Sequence, residues 1–236
     1  ADMELEGIMV DLNYLKKLKK DFDNKLNDFT KRIHKLAGYE FNINSTQQLK
    51  EVLFEKLKIS TKGIKSTKTG FSTAASELLK MKGLHPIIDI ISDYREINKL
   101  QSTYVNSLIE NADKNKRIHT SFNQAVTSTG RLSSSDPNLQ NIPIRTELGK
   151  KIRKVFIAKP GFSLIALDYS QIELRIVASL SKDDKMINSF KSGEDIHQRT
   201  AAEINNIKLD EVTKLQRRMA KEINFGVIYG LGPRGL

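Results

Sequence analysis

Arg217–Gly230 reads RRMAKEINFGVIYG, and the reading of the whole chain turns on this stretch. Arg217, Lys221, Phe225 and Tyr229 fall four residues apart. On a helix each such step drifts by only about 40°, so the first three share one broad face and Tyr229 lies at its edge. Ile223, Val227 and Ile228 supply apolar cover elsewhere. Taken alone, the stretch reads as an amphipathic helix with solvated cations. Two long cations followed by two aromatics also suit a particular ligand, a polyphosphate joined to a flat base.

Upstream lies ALDYSQIELR (Ala166–Arg175). Ser163–Leu167 is expected to be a strand, with Asp168 at its exit and a helix over Ser170–Leu180. A carboxylate there would be held rigidly and half-exposed, as a ligand to a hard metal should be. For an isolated Asp in such a place, a capping or turn role is the simpler reading. Ser170–Glu173 (SQIE) fits a capping box, so Glu173 also has a purely structural reading. Lys151–Ala158 is expected as a second strand, with shorter β-like pieces around Ile118–Phe122 and Ala125–Thr127. Between them runs the loop TGRLSSSDPNLQNIPIR (Thr129–Arg145). After Leu180 the chain is expected to be helical, with caps at Ser181 and Ser192 and a helix from about Asp210 to Tyr229.

The N-terminal half is read from periodicity. Ile8–Val10 suits a short strand, and Asp11 can cap the helix that follows. Leu12, Leu15, Leu18, Phe22, Leu26, Phe29, Ile33 and Leu36 recur at helical spacing until Gly38. Ser45–Gln48 opens another helix. Lys56, Lys58, Lys62, Lys65 and Lys68 then sit among Gly, Ser and Thr with no acid between Glu55 and Glu77. That is either a solvated loop or a basic tip laid on a nucleic-acid backbone. Ala74–Met81 and a segment from Pro86 to about Ile109 complete the helices.

The chain has 236 residues, 39% of them apolar and 28% charged, which is a globular composition able to bury a core. Lys plus Arg exceed Asp plus Glu by 39 to 28, a formal charge of +11 that suits a phosphate backbone. There is no cysteine, which excludes a disulfide framework and a thiolate metal site. No apolar run approaches the roughly 20 residues of a membrane span, and no signal-peptide pattern opens the chain. A cytoplasmic protein is the expectation. The chain opens at Ala1 rather than Met and stops six residues after Gly230, so both ends are expected to be cut.

ALDYSQIELR, RRMAKEINFGVIYG and TGRLSSSDPNLQNIPIR, in this order and spacing, resemble the family A DNA polymerases of the bacterial DNA polymerase I type. Leu36–Leu49 and the Lys-rich tip also look like that family's thumb, so the resemblance covers nearly the whole chain. It implies an α+β fragment of a right-hand polymerase, mostly helical, with a small antiparallel palm sheet and a helical thumb. Residues 1–41 would be an N-terminal palm segment and long helix, and 42–115 the thumb. Residues 116–192 would be palm with the first catalytic motif, and 193–236 the first part of the fingers.

The resemblance also implies roles. Asp168 corresponds to the first catalytic-metal carboxylate, binding two Mg2+ ions with help from the Tyr169 carbonyl. Arg217 and Lys221 correspond to the cations that grip the triphosphate, with His197 as a further phosphate contact. Phe225 would pack on the incoming sugar and base, and Tyr229 would hold the templating-base position. Glu173 resembles the steric gate against a 2′-hydroxyl. Arg131, Gln140, Asn141 and Arg145 match contacts to primer and template. Minor-groove acceptors are shared by every correct base pair, so such donors can test pair geometry without reading sequence. Ser133, Ser134, Lys62 and Lys65 would add backbone contacts. The partners implied are primer-template DNA and a dNTP, and the protein a monomer.

The family's second metal carboxylate lies in a His-Asp-Glu turn, and no such tripeptide occurs in these 236 residues. The chain alone is therefore expected to be inactive. Pro233 and Glu222 are local departures from the family's usual residues. A phage-type single-subunit RNA polymerase shares the Arg, Lys and Tyr-Gly spacing but has a small residue at the gate, so Glu173 and Phe225 favour DNA synthesis. A non-catalytic nucleic-acid-binding protein would have little use for Asp168, Arg217, Lys221 and Tyr229 together.

Overall fold

Asp11 accepts a hydrogen bond from the Tyr14 N–H at 2.9 Å and so caps the longest helix of the chain. The computed structural model describes all residues except Thr69, Arg145 and 233–236. Arg145, expected as a DNA contact, and Pro233, a departure from the family's usual residues, lie outside the described residues. The chain divides into two compact units, Ala1–Leu164 and Ile165–Leu236.

The first unit opens with a short helix α1 (Asp2–Glu6), strand β1 (Ile8–Val10) and helix α2 (Leu12–Ala37), which Gly38 ends at φ 82°. There follow α3 (Thr46–Lys50), capped by Ser45 and prolonged by a π-helical turn Glu51–Lys56, and a small hairpin of β2 (Ser66–Thr67) and β3 (Gly70–Phe71). Next come α4 (Ala75–Lys80) and α5 (Pro86–Leu100), the latter continuing through a π-helical turn Gln101–Asn106 into α6 (Ser107–Glu110). Strands β4 (Arg117–Ile118), β5 (Ser121–Asn123) and β6 (Ser133–Ser135), helix α7 (Glu147–Arg153) and strand β7 (Phe156–Ile157) complete the unit.

β1 is the centre of an antiparallel sheet in the order β4-β1-β7, with Ile8 opposite Ile118 and Val10 opposite Phe156. β5 pairs with β6, Phe122 opposite Ser134. Helix α2 packs along α5 and joins two apolar cores. One gathers Val10, Leu15, Phe22, Leu100, Ile118 and Ile152 beside the sheet. The other gathers Ile33, Leu49, Leu53, Leu78, Met81, Ile87 and Ile91 at the far end of α2. Leu26 and Phe29 pack against both, so the periodicity of α2 builds two cores from one stripe.

The second unit contains α8 (Ile172–Ser181), α9 (Asp184–Lys191), α10 (Ile196–Asn205), a 3₁₀ turn Leu209–Glu211 and α11 (Lys214–Ile228). Its buried residues are mostly small, including Ala178, Ala201, Ala202 and Ala220, which lets α10 and α11 approach closely. No described helix is long and apolar enough to cross a membrane.

Several local expectations need correction. Lys151–Ala158 is not one strand: Lys151–Arg153 is the end of α7, whose Thr146 Oγ1 accepts from the Gly149 N–H at 3.1 Å, and Ile152 turns into the core. Gly149 is needed there, because a Cβ would stand 2.8 Å from Pro143 Cβ. Only Phe156–Ile157 is strand. Ser163–Leu167 pairs with no described strand, and its Ile165 and Leu167 are 81% and 93% exposed. Its continuous apolar run fits a strand covered on both faces, and no described element covers it. Ala125–Thr127 is irregular. Asp183 and Asp195, rather than Ser181 and Ser192, cap the helices that follow, since a carboxylate is the stronger acceptor for first-turn N–H groups. The last helix starts at Lys214 behind a Thr213–Gln216 capping box, not near Asp210. The SQIE box does not form: Gln171 precedes α8 at φ 55° with no side-chain cap.

Candidate functional site

Helix α11 carries Arg217, Lys221 and Phe225 on one face, as their spacing dictates. Thr213 Oγ1 accepts from the Gln216 N–H while Gln216 Oε1 accepts from the Thr213 N–H, so the helix start is fixed one turn before Arg217. Lys221 Nζ stands 5.9 Å from the Phe225 ring centroid and makes no ion pair with a described residue. The Phe225 ring in turn lies 5.8 Å from that of His197. At the end of the helix the Tyr229 hydroxyl donates to Glu173 Oε1 at 3.1 Å, tying α11 to the first turn of α8.

Arg217 is held from α10. Its Nε donates to Asp195 Oδ2 at 2.7 Å, and its Nη2 forms an ion pair with the same oxygen at 2.6 Å. The other oxygen, Oδ1, accepts from the backbone N–H groups of His197 and Gln198. One carboxylate therefore starts the helix with one oxygen and orients a guanidinium with the other. Burial works to raise the Asp195 pKa, but the hydrogen bonds from Arg217 and Gln198 outweigh it and hold the carboxyl below its ordinary range.

His197 is 2% exposed, so it is not the surface histidine that an isolated reading would make of it. Its Nδ1 meets Asn224 Nδ2 at 3.1 Å, and the same amide nitrogen donates to Thr200 Oγ1 at 3.1 Å. Burial first, then the Arg217 and Lys221 charges, depress its pKa against the opposing pull of Asp195. A histidine depressed on folding refuses a proton that the unfolded chain accepts near pH 6.5. Stability is thus present above that pH and lost as pH falls below it. In thermal unfolding, lowering the pH from 7.5 to 5.5 should destabilise the chain more than it destabilises His197→Gln. Equal losses in the two proteins would refute this. His119, in the other unit, has the opposite sign: the Glu4 carbonyl and then Asp113 raise its pKa, so its contribution is lost as pH rises.

Asp168 and Tyr169 are exposed, in irregular backbone just before α8. Their oxygens are of the right chemistry for Mg2+. Among the described residues, however, no group of three His, Asp or Glu side chains is placed to hold a metal, so the donors here are too few for a metal pair.

The residues expected to touch DNA lie in the first unit. Arg131, Gln140 and Asn141 are exposed, and the Asn141 carbonyl accepts from the Tyr104 hydroxyl at 2.5 Å. Ser133 is half-buried at the start of β6. Ser134 is buried: its hydroxyl is within 2.6 Å of Thr120 Oγ1 and accepts from the Leu139 N–H, so it supports the loop rather than facing outward. Lys62 and Lys65 are exposed on the basic tip around the β2–β3 hairpin. Asp195, Thr200 and Asn224 were not singled out from sequence. Asp195 had a legible signal, since it directly precedes the helical run Ile196–Asn205. The other two are polar residues inside helices and carry none.

Comparison with known proteins follows the same lines. Residues 12–236 match the family described as DNA polymerase family A. The chain is 47% identical over 238 residues to DNA polymerase I of Bacillus subtilis (strain 168), with all of this chain and 27% of the relative covered. It is 49% identical over 237 residues to DNA polymerase I of Lactococcus lactis subsp. cremoris (strain MG1363), again covering all of this chain and 27% of the relative. It thus spans about a quarter of the length of these relatives. Among solved structures it is similar to the POL domain of Pol1 from M. smegmatis in complex with DNA primer-template and dNTP. The TM-score is 0.87 at 40% identity, covering 99% of this chain and 41% of that one. With this match over most of its length, and with an α+β architecture like that of a polymerase domain, the chain belongs to DNA polymerase family A.

Proposed function

We propose that this chain is the thumb, part of the palm and the first fingers helices of a DNA polymerase that copies a template by adding dNTPs to a primer 3′-hydroxyl. One observation carries the reading. Arg217, Lys221 and Phe225 share a face of α11, with Arg217 pre-oriented by Asp195 and Tyr229 tied to Glu173, in a chain of family A. In this reading the thumb is 42–115, flanked by palm at 1–41 and 116–192, and the fingers begin at 193. Arg217 and Lys221 grip the triphosphate and stabilise charge that builds on the transferring phosphoryl oxygens. Phe225 packs on the incoming sugar and base. Asp168 and the Tyr169 carbonyl would supply oxygens to Mg2+, whose Lewis acidity would serve the primer hydroxyl and the leaving pyrophosphate. Primer and template run over Arg131, Gln140 and Asn141 and along the basic tip at Lys62 and Lys65. The protein acts in the bacterial cytoplasm as a monomer.

Primer extension tests the reading. A polymerase that contains this chain in full should extend a DNA primer with dNTPs and Mg2+, and use ribonucleotides poorly. The 236 residues alone, with one of the expected metal carboxylates and no His-Asp-Glu tripeptide, should give no processive extension. Preference for ribonucleotides would move the chain to the RNA polymerases. Processive synthesis by the 236 residues would overturn the assigned metal set.

A further inference from the structure

The protons around His197 can be followed one bond at a time. Thr200 lies one turn after Ile196 in α10, and its hydroxyl donates to the Ile196 carbonyl at 2.8 Å. A hydroxyl has one proton, so Thr200 Oγ1 can meet a further partner only as an acceptor. That partner is the Asn224 side chain at 3.1 Å, which must therefore present its NH2 group. Turned over, the amide would set its carbonyl oxygen against the Thr200 lone pairs. The second proton of the same NH2 points at His197 Nδ1, also at 3.1 Å. Nδ1 must then be an acceptor. A neutral imidazole with Nδ1 as acceptor carries its single proton on Nε2. Nε2 makes no hydrogen bond to a described residue, and it is not among the fully buried polar atoms left without a partner. A donor is thus left available on a ring whose centroid lies 5.8 Å from that of Phe225, the aromatic that shares a face with Arg217 and Lys221.

We propose that Asn224 and Thr200 are positioning residues that lock His197 as the neutral Nε2–H tautomer, so that this N–H donates to a phosphate oxygen of the incoming triphosphate. The tautomer follows from the hydrogen-bond chain alone, whereas its purpose rests on the polymerase reading. The ring is kept neutral by its burial and by Arg217 and Lys221, while Asp195 is the one charged group that favours protonation. A neutral donor recognises phosphate without adding a third full positive charge beside two cations, and without waiting for a proton at neutral pH.

The test is histidine-selective 15N spectroscopy of the chain at pH 7.5. There are four histidines, and the His197 signals are those lost in His197→Gln. Wild type should show a pyridine-type Nδ1 and a pyrrole-type Nε2. Thr200→Val removes the acceptor that pins the amide and should move His197 toward the Nδ1–H form, while Thr200→Ser should restore the wild-type signature. A proton on Nδ1 in the wild type would overturn the assignment. So would identical spectra from Thr200→Val and Thr200→Ser, since a role confined to packing does not distinguish proton positions.

The second arm titrates inorganic tripolyphosphate. The Nε2 signal should shift, and affinity should fall about tenfold in Thr200→Val but not in Thr200→Ser, as expected for one hydrogen bond to a charged acceptor. If the Arg217 and Lys221 side-chain signals move while His197 stays still, the donor role is wrong and the triphosphate site stands. If none of them moves, both fall.

Discussion

Asp168→Asn, made in a polymerase that contains this chain, is expected to slow nucleotide addition by roughly a thousandfold or more, about 4 kcal/mol of transition-state stabilisation. The substitution keeps the size of the side chain and one oxygen but removes the charge, and a hard divalent cation is held mainly by that charge. Asp168 is exposed and makes no contact that the fold depends on, so stability should change by no more than about 0.5 kcal/mol. DNA affinity should change little, because the basic groups proposed to meet the backbone lie elsewhere. Single-turnover incorporation gives the rate, and a melting curve shows whether folding is intact. A rate within tenfold of wild type in a folded protein would remove Asp168 from the chemistry. In the proposed reading the neighbouring Tyr169 contributes only its carbonyl, so Tyr169→Phe should leave the same rate almost untouched.

The contrast between what the sequence made legible and what it did not has a physical basis. Helices α2, α5 and α11 were readable because each displays a stripe at 3.6-residue spacing, with Asp11 and Gly38 marking the ends of α2 and Pro86 opening α5. The same logic failed around Lys151–Ala158. Ile152 and Val155 lie three apart, which suits one face of a helix and puts them on opposite faces of a strand, and the Thr146 cap starts that helix. Ser163–Leu167 has the composition of a covered strand, and only the pairing of backbone groups distinguishes strand from exposed coil. At the site, Arg217, Lys221 and Phe225 were visible as a face because they share one helix. The Asp195–Arg217 pair and the Thr200–Asn224–His197 chain each join two helices, with partners 22 to 27 residues apart. No periodicity reports such contacts. They exist because Ala201, Ala202 and Ala220 let α10 and α11 come close enough for short polar side chains to meet.

Glu173→Ala should weaken the selection of deoxyribose over ribose by about a hundredfold, the largest change in specificity expected from any substitution in this chain. In the structure, Glu173 is not occupied as a helix cap. Its Oε1 accepts from the Tyr229 hydroxyl, which fixes the carboxylate beside the aromatic that ends α11. A side chain anchored in that way must give up the Tyr229 hydrogen bond before it can swing aside to admit a 2′-hydroxyl. Alanine removes both the bulk and the anchor. Glutamine keeps the bulk and an oxygen that can still accept from Tyr229, so Glu173→Gln should retain most of the discrimination. Tyr229→Phe should fall between them, because the carboxylate loses the Tyr229 hydrogen bond but not its volume. The measurement is the ratio of kcat/KM for a dNTP and its ribonucleotide in a polymerase that contains this chain. If Glu173→Ala leaves that ratio within about threefold of wild type, the pairing with Tyr229 serves only to join α8 to α11. If Glu173→Gln loses as much as Glu173→Ala, charge rather than volume does the sorting.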